Sequence, residues 1–219
     1  MKTVAIVLFL ILSTLSNNES IASEKKKGSG NIISQERKVE KFSAITVKGI
    51  AHVHLTQGTP QKVEVKADDN IIDDVTTKVN NEELIIDLND DDKYDDIDVD
   101  VYVTVSTVEK LSISGVGKIT TENSLKTKEL DCIISGVGDI ELKGEAKSQL
   151  IKITGVGNVS SFDFVTEQCD VVLTGVSNAH VHATKNLDVE ITGMGNVEYK
   201  GNPEVTKNDT WFGRVKKRK

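Results

Sequence analysis

Leu130-Asp131-Cys132-Ile133-Ile134-Ser135-Gly136-Val137-Gly138-Asp139-Ile140-Glu141-Leu142 carries the pattern on which the rest of the chain is built. Apolar side chains occupy 130, 132 and 134, a Ser-Gly-Val-Gly element follows, and apolar residues resume at 140 and 142. Alternation with period two means strand, one face buried and one not. The element returns as Ser114-Gly115-Val116-Gly117, Thr154-Gly155-Val156-Gly157, Thr174-Gly175-Val176-Ser177 and Thr192-Gly193-Met194-Gly195, with a degenerate copy at Lys48-Gly49-Ile50-Ala51. Successive first glycines from Gly115 onward lie 21, 19, 20 and 18 residues apart. Ten of the sixteen glycines belong to these six copies, so glycine here marks a recurring backbone requirement.

The alternation is in phase in every copy. Two and four residues before the first glycine stand Ile113 and Leu111, Ile134 and Cys132, Ile153 and Ile151, Leu173 and Val171, Ile191 and Val189. Four after it stand Ile119, Ile140, Val159, Ala179 and Val197. Short strands repeating about every twenty residues fit one coil of a solenoid whose inward side chains stack on the next coil, and the mature chain shows no helical apolar period. The pattern predicts an all-β parallel β-helix of 18–21-residue coils. An antiparallel sandwich also uses short, evenly spaced strands, but gives no reason for a Gly-X-Gly element to recur in phase. The glycines are expected at a stacked corner with positive φ. Val116, Val137, Val156, Val176 and Met194 then form a column that is core if the corner breaks the alternation and an exposed apolar strip if it does not. Ser114, Ser135, Thr154, Thr174 and Thr192 form a parallel column of hydroxyls expected to satisfy backbone groups.

Outside the repeats, Met1 and Lys2 precede the apolar run Val4 to Leu12, and polar residues lead to Ser20-Ile21-Ala22. This reads as a signal peptide over 1–22, too short in its apolar part to span a bilayer. Residues 23–38, with Lys25 to Lys27 and Gly28-Ser29-Gly30, read as a flexible lead-in, 39–213 as the β-helix domain, and 214–219 as a solvated basic tail. Residues 61–110 are strand-like but less regular and are expected to form wider coils near one end, while Trp211 and Phe212 are candidates to plug the other.

The repeated Ser/Thr-Gly-X-Gly-X-Ile/Val units, preceded by Phe42-Ser43-Ala44-Ile45-Thr46-Val47-Lys48-Gly49 and Val63-Glu64-Val65-Lys66-Ala67-Asp68-Asp69-Asn70, resemble the head GIN domain family over roughly residues 39 to 205. Where members of that family carry a small polar residue between the glycines, this chain has valine or methionine. The resemblance implies a right-handed β-helix, export from a bacterial cell and an adhesin-like head domain. It supplies no catalytic residue.

A net charge of −7 and a pI near 5.2 argue against a nucleic-acid binder, whose affinity would come from neutralising phosphates. Asp87, Asp90, Asp91, Asp92, Asp95, Asp96, Asp98 and Asp100 gather eight carboxylates against the single cation Lys93. Weak Ca²⁺ binding is one reading and a solvated acidic loop the other, since the spacing lacks the glycine and glutamate of an EF-hand. All four histidines occur as His52-Val53-His54 and His180-Val181-His182, each pair on the outward face of its strand at a two-ligand spacing for Zn²⁺ or Cu²⁺. Some six coils, near 29 Å at about 4.8 Å per coil, separate the pairs in this reading, and exposed polar strand residues are the simpler account. Cys132 and Cys169 fall on inward positions two coils apart, roughly 12 Å, which predicts buried free thiols rather than a disulfide. No histidine lies in phase with the hydroxyl column to serve as a base, and Asp139 has only Lys118, Asn158, Asn178 and Asn196 in phase, which is no acid/base pair.

No catalytic, cofactor or metal residue is assigned on these grounds. The expected function is that of an exported, non-enzymatic β-solenoid of the periplasm, cell surface or medium, binding carbohydrate, protein or other envelope material. The alternative is a polysaccharide-active enzyme assisted by Ca²⁺ at the acidic segment, and self-association through the valine column is a third possibility.

Overall fold

The computed structural model describes residues 25–89, 93–209 and 213–218. The expected signal peptide and the Trp211-Phe212 plug lie outside them. Within the described residues the chain is all-β and forms a solenoid of about five turns of stacked parallel coils.

Each repeat supplies one strand before the glycine corner and one after it. Before the corner, Ala44–Val47, Lys110–Ile113 and Glu129–Ile134 stack in parallel, with Leu111 opposite Ile45 and Cys132. After it, Ile50–Gln57, Val116–Thr121 and Val137–Ile153 do the same, with Ile119 opposite Val53 and Ile140. Val137–Ile153, Val156–Leu173 and Val176–Ile191 are long enough to run through both flanks of a coil. Their register keeps Ile140, Val159, Ala179 and Val197 in one buried column. A second buried column carries Ile134, Ile153, Leu173 and Ile191. Inward positions therefore form continuous rows along the axis, as a period-two sequence repeated in phase requires.

Glycine at the corner answers a steric need, not the positive φ expected. Gly115, Gly136, Gly155, Gly175 and Gly193 are absent from the positive-φ residues. A Cβ on Gly136 would instead lie 2.0 Å from the carbonyl oxygen of Gly115 and 2.5 Å from that of Ser114. The same approach recurs at Gly155 against Gly136 O and at Gly175 against Gly155 O. The corner is tied by a repeated hydrogen-bond pattern: Ser135 N and Gly136 N both donate to Ile113 O, and Thr154 N and Gly155 N both donate to Ile134 O. Two donors converging on one carbonyl pull the backbones together, and only a residue without Cβ fits the gap.

Residues 61–110 depart from the expected wide coils. Glu83–Leu88 and Val99–Val105 do stack in parallel on Ala44–Val47 and Ile50–Gln57. Lys62–Asp68, however, runs antiparallel to Val99–Val105, and Val75–Asn80 forms an antiparallel hairpin with Glu83–Leu88. The end of the solenoid is thus covered by antiparallel strand pairs, one of them a hairpin, which pair backbone that a bare terminal coil would expose.

The flexible lead-in is also corrected. Ile32–Arg37 pairs antiparallel with Lys62–Asp68, Ile33 packs against the core, and the Arg37 guanidinium donates to Ile72 O at 2.7 Å. Likewise, part of the basic tail is ordered: Gly213–Lys217 pairs in parallel with Met194–Lys200, and Arg218 meets Glu198 at 2.9 Å. Alternation of Ile33, Gln35 and Arg37, and of Gly213, Val215 and Lys217, is short but suffices once a sheet edge is present to receive it.

Candidate functional site

Three features on the outside of the stack combine chemistry with geometry: the corner column, the His52-Val53-His54 strand and an open groove.

Corner residues pair Ile50 with Val116, then Val116 with Val137, Val137 with Val156, Val156 with Val176 and Val176 with Met194. All six are exposed, Val137 by 49% and Met194 by 57%. The alternation therefore persists through the corner, and the column is a surface strip rather than core. Beside it Ser114, Ser135, Thr154, Thr174 and Thr192 are exposed as well, and Thr174 Oγ1 donates to Ile153 O at 3.4 Å. On its other side Asn158 Nδ2 donates to Asp139 Oδ1 at 2.8 Å, Asn178 Nδ2 to Asn158 Oδ1 at 2.8 Å, and Asn196 Nδ2 to Asn178 Oδ1 at 2.9 Å. An apolar strip thus runs along the axis between a hydroxyl column and an amide column.

His52 and His54 project from the same face of Ile50–Gln57. Parallel pairing with Val99–Val105 sets His52 opposite Asp100 and His54 opposite Tyr102. The His54 Nε2 atom lies 2.8 Å from Asp100 Oδ1, and His52 Nδ1 lies 3.7 Å from the same oxygen. The remaining ring nitrogens also have partners: His54 Nδ1 meets Glu122 Oε1 at 2.9 Å, and His52 Nε2 meets Thr120 Oγ1 at 3.3 Å. Tyr102 stacks on His54 at 4.5 Å between ring centroids, and the Lys66 ammonium lies over the Tyr102 ring at 4.4 Å from its centroid. Burial, reinforced by His54, lowers the His52 pKa. Burial acts the same way on His54, but hydrogen bonds and charge from Asp100 and Glu122 overcome it and raise that pKa.

The second histidine pair behaves differently. His180 stacks on Phe162 at 4.9 Å between centroids, and His182 Nδ1 approaches Phe162 O at 3.3 Å. The strand register carries His54 through Thr120, Glu141 and Ser160 to His180, four coil steps in place of the six expected. At about 4.8 Å per step that is roughly 19 Å. The difference arises because Lys62–Asp68, Glu83–Leu88 and Val99–Val105 lie at the end of the stack and insert no coils between the pairs.

The acidic segment meets the chain's own cations. Tyr94–Asp95 pairs in parallel with Lys26–Lys27, and Asp95 lies 3.8 Å from Lys25 and 3.9 Å from Lys27. Asp100 belongs to the histidine cluster, while Asp90, Asp91 and Asp92 lie outside the described residues. Cys132 and Cys169 are buried and free, as the strand parity implies. Between them sits buried Gln149, its Nε2 3.8 Å from Cys132 Sγ and its Oε1 3.9 Å from Cys169 Sγ. Burial pushes the Cys132 thiol up to about 12 and the Cys169 thiol further, so neither is a nucleophile at neutral pH.

An open groove of about 1260 Å³ follows the opposite corner of the coils, with Lys110, Lys126, Lys128, Glu129, Glu145 and Glu167 among its walls. Its charges are paired in part, Lys126 with Glu145 at 2.6 Å and Lys110 with Glu83 at 3.0 Å. Among the described residues no aromatic ring lines it.

Sequence reasoning found both histidine pairs but not Asp100, Glu122 or Thr120 as their partners. Asp100 stood among the acidic residues, yet its link to His54 spans 46 positions and depends on strand register. Gln149 gave no signal, being one polar residue on a face otherwise read as apolar.

With the corner repeat and its stacking established, the family model described as "Putative auto-transporter adhesin, head GIN domain" matches residues 41–203. The chain belongs to the head GIN domain family. Among solved structures, this family member is similar to one titled a "putative adhesin" from Bacteroides fragilis, at 23% identity and a TM-score of 0.73, covering 88% of this chain and 100% of that one. A "putative adhesin" from Parabacteroides distasonis shares 24% identity at a TM-score of 0.54, covering 89% and 100%. A "putative lipid binding protein" from the same organism shares 20% identity at a TM-score of 0.54, covering 90% and 100%. At these identities the likeness is one of fold. No curated protein matches the sequence. Among the described residues of this head GIN domain, no helix is long and apolar enough to cross a membrane.

Proposed function

We propose that this protein is an exported, non-enzymatic adhesin-like module that binds an extended, repetitive envelope polymer, a glycan first of all, along its corner strip. The observation that carries this reading is the exposed in-register column Ile50, Val116, Val137, Val156, Val176 and Met194. An apolar strip of this length is unusual on a surface left to water. Its flanking hydroxyls and amides add hydrogen-bonding groups at the repeat of the coils, about 4.8 Å. A sugar chain offers the matching chemistry, C–H faces for the strip and hydroxyls for the columns on either side. Membership of an adhesin-named family supports both binding and export.

The test is a glycan array probed with the protein and with a Val137→Ser/Val156→Ser double variant. Binding by the parent and loss in the variant, with Tm nearly unchanged, is the expected result. Unchanged binding by the variant overturns the strip as the site. Release of shortened fragments from a bound polysaccharide overturns the non-enzymatic reading. Vesicles belong among the probes because one structure of the same fold is titled lipid binding. Binding to vesicles alone moves the ligand from glycan to lipid.

A further inference from the structure

We propose that His52, His54 and Asp100 form a binding site for a borderline-soft divalent metal ion, Zn²⁺ being the ion of choice, on the outer face of the capped end of the solenoid. One ligand atom from each lies within 4.8 Å of the others. Zinc bonds of about 2.0–2.1 Å at tetrahedral angles place ligand atoms roughly 3.3 Å apart. The two histidine–carboxylate separations, 2.8 Å for His54 and 3.7 Å for His52, bracket that value. Small side-chain rotations therefore suffice to admit the ion. Three protein ligands leave a fourth position open to solvent.

The surroundings match those of metal-binding imidazoles. A ligating histidine usually gives its other ring nitrogen to a carboxylate, carbonyl or hydroxyl, which fixes its tautomer and orientation. Here Glu122 takes that place behind His54, and Thr120 takes it behind His52. Tyr102 stacks flat on the His54 ring at an interplanar angle of 9° and holds its direction. Two imidazoles and one carboxylate favour Zn²⁺, Cu²⁺ or Ni²⁺ over Ca²⁺, which prefers six or more oxygen ligands. The acidic segment thus contributes to metal binding through one residue, Asp100, brought by register to a histidine pair, and not as a loop of carboxylates. This inference stands apart from the glycan-binding strip and survives its failure.

Calorimetric titration of tag-free protein with ZnCl₂ tests it. One saturable site and a Tm raised by several degrees in excess Zn²⁺ are expected. His52→Ala and Asp100→Asn each abolish saturation, Glu122→Gln weakens it about 10- to 100-fold, and a His180→Ala/His182→Ala variant binds as the parent does. Cu²⁺ in the same site gives an electron paramagnetic resonance spectrum with two coupled nitrogens, a pattern lost in His52→Ala. Absence of saturable binding at millimolar Zn²⁺ overturns the proposal. So does undiminished affinity in His52→Ala and Asp100→Asn, or displacement of Zn²⁺ by equimolar Ca²⁺.

Discussion

At the scale of single residues, the corner glycines and the paired carboxylates decide stability by different physics. Gly136→Ala places a methyl group 2.0 Å from Gly115 O, so two coils must separate or the corner hydrogen bonds must break. The expected cost is about 3 kcal/mol, at the upper end of overpacking penalties because the obstacle is backbone. A urea melt reads it directly, and an unchanged midpoint removes the steric account of the repeat. Glu83 is governed by charge and hydrogen bonding. The Thr46 hydroxyl donates to its carboxylate, Lys110 lies 3.0 Å away, and together they hold its pKa below the ordinary 4.5 against the opposing effect of burial. A depressed carboxylate pKa stabilises the fold above the unfolded value and ceases to do so as pH falls through the folded one. Glu83→Gln is therefore destabilising by about 1 kcal/mol at pH 7, and the gap to the parent closes as the melt is repeated at progressively lower pH below 4.5. A gap that stays constant with pH contradicts the charge-based account.

Among the elements, the hairpin joining Val75–Asn80 to Glu83–Leu88 turns through Asn81 at φ 48° and Glu82 at φ 60°. Both central residues are left-handed, as a two-residue hairpin loop with the favoured twist requires. Asparagine tolerates that region, but glutamate does so at a cost. Glu82→Gly is expected to stabilise the protein by about 0.5–1 kcal/mol, the relief of strain exceeding the added freedom of the unfolded chain. A lower Tm for this variant refutes it. The same hairpin shows where sequence reading stops. The coils after Lys110 were legible because the apolar alternation and the glycines repeat in phase. In residues 61–105 the alternation is equally clear, as at Val63 and Val65 or Leu84 and Ile86, but alternation does not say whether the partner strand runs parallel or antiparallel. Ile32–Arg37 was missed for a related reason: six residues of weak alternation become a strand only where Lys62–Asp68 offers an edge. At the histidine site the ligand pair was visible from its i, i+2 spacing, whereas Asp100 and Glu122 arrive through register across 46 and 68 positions. The sequence alone does not place the valine column in the core or on the surface, because parity at the corner depends on whether the bend rotates the strand. It does not, and Val137 and Val156 remain outward.

For the whole molecule, stacking in one dimension governs how the fold comes apart. Each coil meets only the coils on either side, so stability is a sum of coil and interface terms, and one weak interface divides the stack. The end capped by antiparallel strands, residues 32–88 with Val99–Val105, has its own antiparallel pairings and is joined to the repeats through Ala44–Val47 and Ile50–Gln57. Ile140 sits fully buried near the middle of the inner column, between Ile119 and Val159. Ile140→Ala removes contacts to both neighbours at once, and neither can move inward, because the corner glycines already hold the backbones at their closest approach. The expected loss is about 3–4 kcal/mol, the range for a buried isoleucine whose cavity cannot collapse. In a globular core such a loss lowers one cooperative transition. In this stack it weakens the central interface relative to both halves, and urea unfolding should pass from one transition to two. Hydrogen exchange then separates the halves, with amides of Val156–Leu173 and Val176–Ile191 opening together and independently of those of Lys62–Asp68 and Val99–Val105. A single transition of unchanged slope in the Ile140→Ala variant means instead that the two ends are coupled more strongly than contact between adjacent coils provides.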